Sequence, residues 1–246
     1  MTRARGRIQV GTSGWSYDHW KGPFYPEHLP AGKALDYYAQ RFGCVEINSS
    51  FYRLPEITTL QHWYACTPDD FVFTAKASRY ITHMKKLREP EHNVPALLDR
   101  ISLLGDKLGP ILFQLPPNWR FNAARLQAFL DSLDSDYRYA FEFRDHSWLN
   151  AETTALLEQH NAAFCIYELE GFRTPDVITA DFIYVRLHGP DGAYRGSYTH
   201  QALSRRAEQF QAWAEHGRTV YCFFDNDQSG YAAKDAQRLR KILAQV

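Results

Sequence analysis

Short runs of β-branched and aromatic residues recur along the whole chain, each closing on Gly, Pro or polar residues and most leading into a stretch with helical periodicity. Eight such runs predict strands over 7–12, 43–48, 71–76, 109–115, 138–144, 163–168, 182–188 and 219–225. The patterns between them predict helices over 33–42, 56–66, 95–107, 122–134, 151–161, 201–216 and 230–244, with a short one around 173–180. In the last helix Ala232, Ala236, Leu239 and Leu243 recur at spacings of four, three and four residues, while Lys234, Asp235, Arg238 and Lys241 mostly fall elsewhere, so one face packs on a sheet. Eight strands alternating with helices predict the α/β class and, within it, a single TIM-like (β/α)8 barrel of parallel strands, one domain over 1–246. A doubly wound open sheet is the alternative, but GTSGWS after the first strand lacks the G-x-G-x-x-G spacing that usually marks it.

Charge interrupts the apolar pattern where a parallel sheet, covered on both faces, normally reads as continuous Val, Ile and Leu. A period of two sorts the exceptions. Glu46 and Asn48 oppose Val45 and Ile47; Glu142 and Arg144 oppose Phe141 and Phe143; Arg186 and His188 oppose Val185 and Leu187. Asp225 shares parity with Phe223, and Lys76 and Gln114 end the third and fourth strands. If the apolar set faces the helices, these polar side chains converge on the C-terminal mouth, where barrel active sites are built. The same residues allow a structural reading, in which Glu46, Glu142 and Asp225 neutralise Lys76, Arg144 and Arg186 as a buried ion network.

The length of 246 residues suits one barrel of about 250. Lys plus Arg (28) equal Asp plus Glu (28), so attraction to nucleic acid must come from a local patch rather than a basic coat. One such patch follows the third strand, where Lys76, Arg79, Lys85, Lys86 and Arg88 face only Glu89 and Glu91. No apolar run reaches the roughly 18 residues of a membrane span, and MTRARGRIQVGTSGW lacks the apolar stretch of a secretory signal; a cytoplasmic protein without a membrane partner is expected. Cys44, Cys66, Cys165 and Cys222 lie far apart without C-x-x-C spacing, which predicts reduced, mostly buried thiols.

The predicted loops add planar and small residues. Trp15, Tyr17, Trp20, Phe24 and Tyr25 follow the first strand, Phe51 and Tyr52 the second, and Trp119, Trp148, Tyr194, Tyr198 and Tyr231 lie in later loops. They can stack bases or sugars, or pack the loops onto the barrel. The segment HGPDGAYRGSYTH offers Gly189, Gly192 and Gly196 for close backbone approach and Arg195 for a phosphate. Asp225 and Asp227 in FFDND either cap the final helix or hold a cation. No cofactor is expected; a divalent ion on Glu46, Glu142, His188 and Asp225 is the weaker alternative, because no H-E-x-x-H or histidine cluster fixes a geometry. Among His83, His146 and His188, strand parity singles out His188 for acid–base work.

The segments GTSGWSY at 11–17, VEINSSFYRLP at 45–55, FTAKASRYITH at 73–83, LFQLPPNW at 112–119, EFRDHSW at 142–148, YVRLHGP at 184–190 and FFDND at 223–227 resemble the YecE-like family, domain of unknown function 72. The resemblance spans nearly the entire chain and implies a β/α barrel. Similarity of that barrel to an apurinic-site endonuclease implies a nucleic-acid substrate, although this chain lacks the many metal-binding histidines of that enzyme.

The leading expectation is a barrel that binds or processes a phosphate-bearing ligand, a nucleotide or nucleic acid, at its mouth by hydrolase chemistry of the phosphodiester type. Glu46, Glu142, His188 and Asp225 are the catalytic candidates; Asn48, Lys76, Gln114, Arg144, Trp148, Arg186, Tyr194 and Arg195 are the substrate-binding candidates. Glycoside hydrolysis with Glu46 and Glu142 as paired carboxylates is the second reading, and a non-catalytic nucleic-acid or protein-binding barrel the third.

Overall fold

The structure, a computed structural model, describes residues 4–245. All eight predicted strands form: β1 (Ile8–Thr12), β2 (Cys44–Ile47), β3 (Val72–Lys76), β4 (Leu108–Gln114), β5 (Tyr139–Glu142), β6 (Ala163–Leu169), then, after a two-residue β7 (Phe172–Arg173), β8 (Phe182–Leu187) and β9 (Thr219–Phe224). Helices α1 (Ala34–Ala39), α2 (Ile57–Cys66), α3 (Pro90–Ile101), α4 (Ala123–Asp131), α5 (Ala151–Gln159), α6 (His200–Glu215) and α7 (Tyr231–Leu243) separate them. Eight parallel strands alternating with helices make this a TIM-like α/β fold. No helix among the described residues is long and apolar enough to cross a membrane.

Three segments depart from the sequence pattern. The helix expected over 95–107 starts at Pro90, a residue suited to a first turn, and gives way to a 3-10 stretch over Ser102–Lys107 that Gly105 interrupts at φ 52°. No helix forms around 173–180. Pro175 offers no backbone N–H, and Thr174 and Thr179 instead donate and accept along β6, Thr174 at Tyr167 and Thr179 at Ala162 and Phe164. Tyr80–Met84, within an expected loop, forms a π-helical turn.

The chain divides into two compact units that interleave in sequence. The first holds the residues up to Glu46, Ile166–Pro175 and Asp181 onward; the second holds Ile47–Cys165 and Asp176–Ala180. In the first, β9 pairs in parallel with β1 (Ile8↔Val220 to Thr12↔Phe224) and with β8 (Phe182↔Thr219 to Leu187↔Phe224). Helices α6 and α7 bury Leu203, Phe210, Ala232, Ala236 and Leu239 there; of the four α7 residues its periodicity selects, Leu243 is only half-buried. In the second, β4 pairs in parallel with β3 and β5, and β5 with β6 through Ala140↔Ala163 and Phe141↔Phe164. Its core is aromatic: Phe113 lies 5.0 Å from Phe129 and 5.3 Å from Phe141 between ring centres. Cys44, Cys165 and Cys222 are buried and Cys66 is half-buried, and none of the four is in a disulfide.

Candidate functional site

In the first unit, strand parity carries Tyr184, Arg186 and His188 to one side of β8, with Asp225 at the end of β9. His188 and Asp225 lie one residue past their strands, yet the ladder continues through them: the Asp225 N–H donates to the Leu187 carbonyl at 2.8 Å and the His188 N–H to the Glu168 carbonyl at 3.2 Å. Glu46, fully buried, is the hub. Ser13 Oγ donates to its Oε1 at 2.6 Å and Tyr184 OH to its Oε2 at 2.7 Å. Arg186 donates to both oxygens through Nε at 3.2 and 3.1 Å, and through Nη2 to Oε1 at 2.7 Å.

Arg186 Nη2 also reaches Asp225 Oδ2 at 3.1 Å, and its Nη1 lies 3.3 Å from His188 Nε2. A guanidinium only donates, so Nε2 accepts, and the His188 proton sits on Nδ1, which meets Asp225 Oδ2 at 3.0 Å. The result is a continuous relay of Glu46, Arg186, His188 and Asp225 in which only the Asp225 side chain, 13% exposed, touches solvent appreciably. Burial of two carboxylates with one guanidinium is tolerated here because each oxygen and N–H named has a partner. Tyr194 packs its ring edge-on against His188 at 5.5 Å and is itself 46% exposed; Arg195 beside it is exposed.

The glycines of the following loop serve the loop itself. At Gly189 (φ 111°) a Cβ would lie 2.2 Å from the Arg195 carbonyl oxygen, and at Gly196 (φ 80°) 2.1 Å from an Asp191 carboxylate oxygen. Neither aspartate of FFDND caps the last helix: Asp225 belongs to the relay, and Asp227 accepts from Trp20 Nε1 at 2.5 Å and pairs with His19 at 3.0 Å. Burial pushes the Asp227 carboxyl above its ordinary range.

The second unit carries its own charged group. Glu142, fully buried on β5, accepts from Arg144 Nε. Gln114 is the Cα partner of Glu142 and donates to the Leu115 carbonyl at 3.2 Å. Lys76, at the end of β3, places Nζ 4.3 Å from the centre of the Phe51 ring, and the His83 ring stands edge-on to the same phenyl at 5.0 Å. His83 and Arg79 lie on and before the π-helical turn. Partial burial, then the charges of Lys76, Arg79 and Arg144, hold the His83 pKa below its ordinary value. Asn48 opens the turn that carries Phe51, and its Oδ1 is buried without a hydrogen-bond donor. Tyr52, next to Phe51, is 73% exposed.

The loop aromatics divide by burial. Trp20, Phe24, Tyr25 and Tyr198 are buried, and Trp148 is fully buried, its Nε1 donating to the Trp119 carbonyl at 2.6 Å and its ring stacked 5.0 Å from Phe143. Tyr52 and Tyr194 keep open faces. Ser13 and Tyr184 are absent from the residues that the sequence pattern selects, while Arg79 is among them only through the basic patch after the third strand; Tyr184 has the parity of Arg186 and His188 and is legible by that rule. No group of three or more His, Cys, Asp or Glu side chains among the described residues gathers in a metal-holding arrangement.

Parallel strands alternating with helices, with charged side chains gathered at strand C-terminal ends, define a TIM-like α/β protein with a polar centre in each unit. The chain belongs to the family described as "Protein of unknown function DUF72", which matches residues 9–246. Relatives include the UPF0759 protein YecE of Escherichia coli (strain K12), 34% identical over 141 residues, 56% of this chain and 48% of that protein. The match thus spans about half the length of that relative. The UPF0759 protein YunF of Bacillus subtilis (strain 168) is 25% identical over 272 residues, covering 96% of this chain and 94% of the other. The crystal structure of a DUF72 family protein from Thermotoga maritima superposes with a TM-score of 0.87 at 29% identity, over 97% of this chain and 99% of that one.

Proposed function

We propose that the protein binds a phosphate-bearing ligand, a nucleotide or nucleic-acid strand, through the cationic group of the second unit. The observation that carries this is the placing of Lys76 and His83 against one phenyl ring, Phe51, with Arg79 and Arg144 adding to the positive field. The charges of Lys76, Arg79 and Arg144, which add to burial in disfavouring the imidazolium, favour an anion. The open face of Tyr52 suits a nucleobase, whose stacking contributes about 1–3 kcal/mol. Asn48 Oδ1 suits a ligand hydroxyl or amino hydrogen, since it lacks a donor within the protein. Calorimetric titration with AMP at fixed ionic strength tests the reading. Saturable binding that weakens about tenfold or more in Lys76→Met supports it; affinity unchanged in the folded variant refutes it.

A second reading concerns chemistry. The His188–Asp225 contact in the first unit fixes the tautomer and orientation of the imidazole, and with both ring nitrogens of the buried His188 bonded, Asp225 is the member exposed enough to exchange a proton with a substrate. Hydrolysis is the reaction class proposed for it, with Tyr194 and Arg195 on the exposed side of the pair as substrate contacts. Glu46 and Glu142 are less suited to the paired-carboxylate chemistry of glycosidases, because each is fully buried and bonded to an arginine.

A further inference from the structure

A cavity of about 650 Å³ opens in the first unit between α6 and the hairpin of β6 and β7, within the range of small-molecule sites. Its lining is graded. Leu169, Phe172, Pro190 and Ala202 supply apolar surface. At its inner end Arg206, a 9% exposed side chain, donates to Glu168 at 2.9 Å, and the buried Tyr198 hydroxyl accepts the Gly189 N–H at 2.9 Å. Burial, with Glu168 close by, pushes the Tyr198 pKa up, so its hydroxyl keeps its proton. Exposed Arg173 and Arg205 also line it, together with the carboxylates of Glu168 and Glu208.

We propose that this cavity is a binding site for an organic acid: a ring-bearing apolar body seated on Leu169, Phe172 and Pro190, with an anionic group received by Arg205 and Arg173. Apolar walls supply affinity without direction, and the guanidinium forks select for the acid. The Glu168–Arg206 pair and the Gly189–Tyr198 bond are made before any ligand arrives, so this end of the cavity is pre-formed. This site shares no residue with the phosphate site proposed for the second unit and stands independently of it. It does adjoin the relay: Gly189 follows His188, and the His188 N–H donates to the carbonyl of the cavity residue Glu168.

Two fluorescent probes with the same kind of aromatic body test the proposal, 8-anilinonaphthalene-1-sulfonate, which carries an anion, and N-phenyl-1-naphthylamine, which does not. The sulfonate is expected to bind saturably at one site, about tenfold or more tighter than the neutral amine. Ala202→Trp, which fills the cavity from α6, is expected to abolish binding, and Arg205→Glu to weaken it about tenfold or more. Near-ultraviolet circular dichroism and thermal melting verify that each variant is folded; because Arg205 is exposed, its variant keeps the test open should Ala202→Trp fail to fold. Equal affinity for the neutral probe, binding that survives Ala202→Trp in a folded protein, or affinity unmoved by Arg205→Glu would overturn the proposal.

Discussion

Arg186 and His188 share one acceptor, Asp225 Oδ2, at 3.1 and 3.0 Å, and also meet each other at 3.3 Å. This triangle leaves the imidazole one arrangement, with its proton on Nδ1 and its Nε2 lone pair toward the guanidinium. Long-range ¹H–¹⁵N correlation spectra are therefore expected to show His188 in the Nδ1–H tautomer. A wild-type ring carrying its proton on Nε2 alone would contradict the geometry.

Glu46 accepts from Ser13, Tyr184 and Arg186 without solvent contact, so replacing it with Gln leaves a buried guanidinium short of charge. Glu46→Gln is expected to lower stability by about 3–5 kcal/mol in a urea titration. A variant as stable as the parent would mean that the pair contributes no net stabilisation.

Much of this relay was legible because a strand's period of two holds one residue past its formal end. The bonds from Asp225 to Leu187 and from His188 to Glu168 prolong the ladder, so parity alone grouped Arg186, His188 and Asp225. Ser13 was not legible, since it meets Glu46 only through a parallel bridge between segments 33 residues apart. His83 sat in what the sequence marks as a loop, and its placing against Phe51 depends on a π-helical turn that no periodicity announces. The loop aromatics were ambiguous for a different reason: Trp148 and Tyr52 have similar loop contexts, and only packing decides that one is fully buried and the other 73% exposed.

The depressed pKa of His83 has a consequence for stability. In the unfolded chain His83 takes up a proton near its ordinary value, about 6.5, while the folded protein resists it until lower pH. Its contribution is thus fully present above the unfolded pKa and is lost as pH falls through the folded one. Urea midpoints measured from about pH 7.5 down to about pH 5 are expected to drop less in His83→Gln than in the parent. A steeper drop in the variant would contradict a His83 pKa held below its ordinary value.

That field is also the most direct handle on the proposed anion site, because a bound anion must offset it. Ring signals of His83, followed by NMR across its titration at constant ionic strength, report its pKa with chloride alone and with saturating inorganic phosphate. The account predicts that phosphate moves the His83 pKa upward toward the ordinary histidine value, and that the shift disappears in Lys76→Met. A titration curve that phosphate leaves in place would contradict anion binding at Lys76, Arg79, His83 and Arg144.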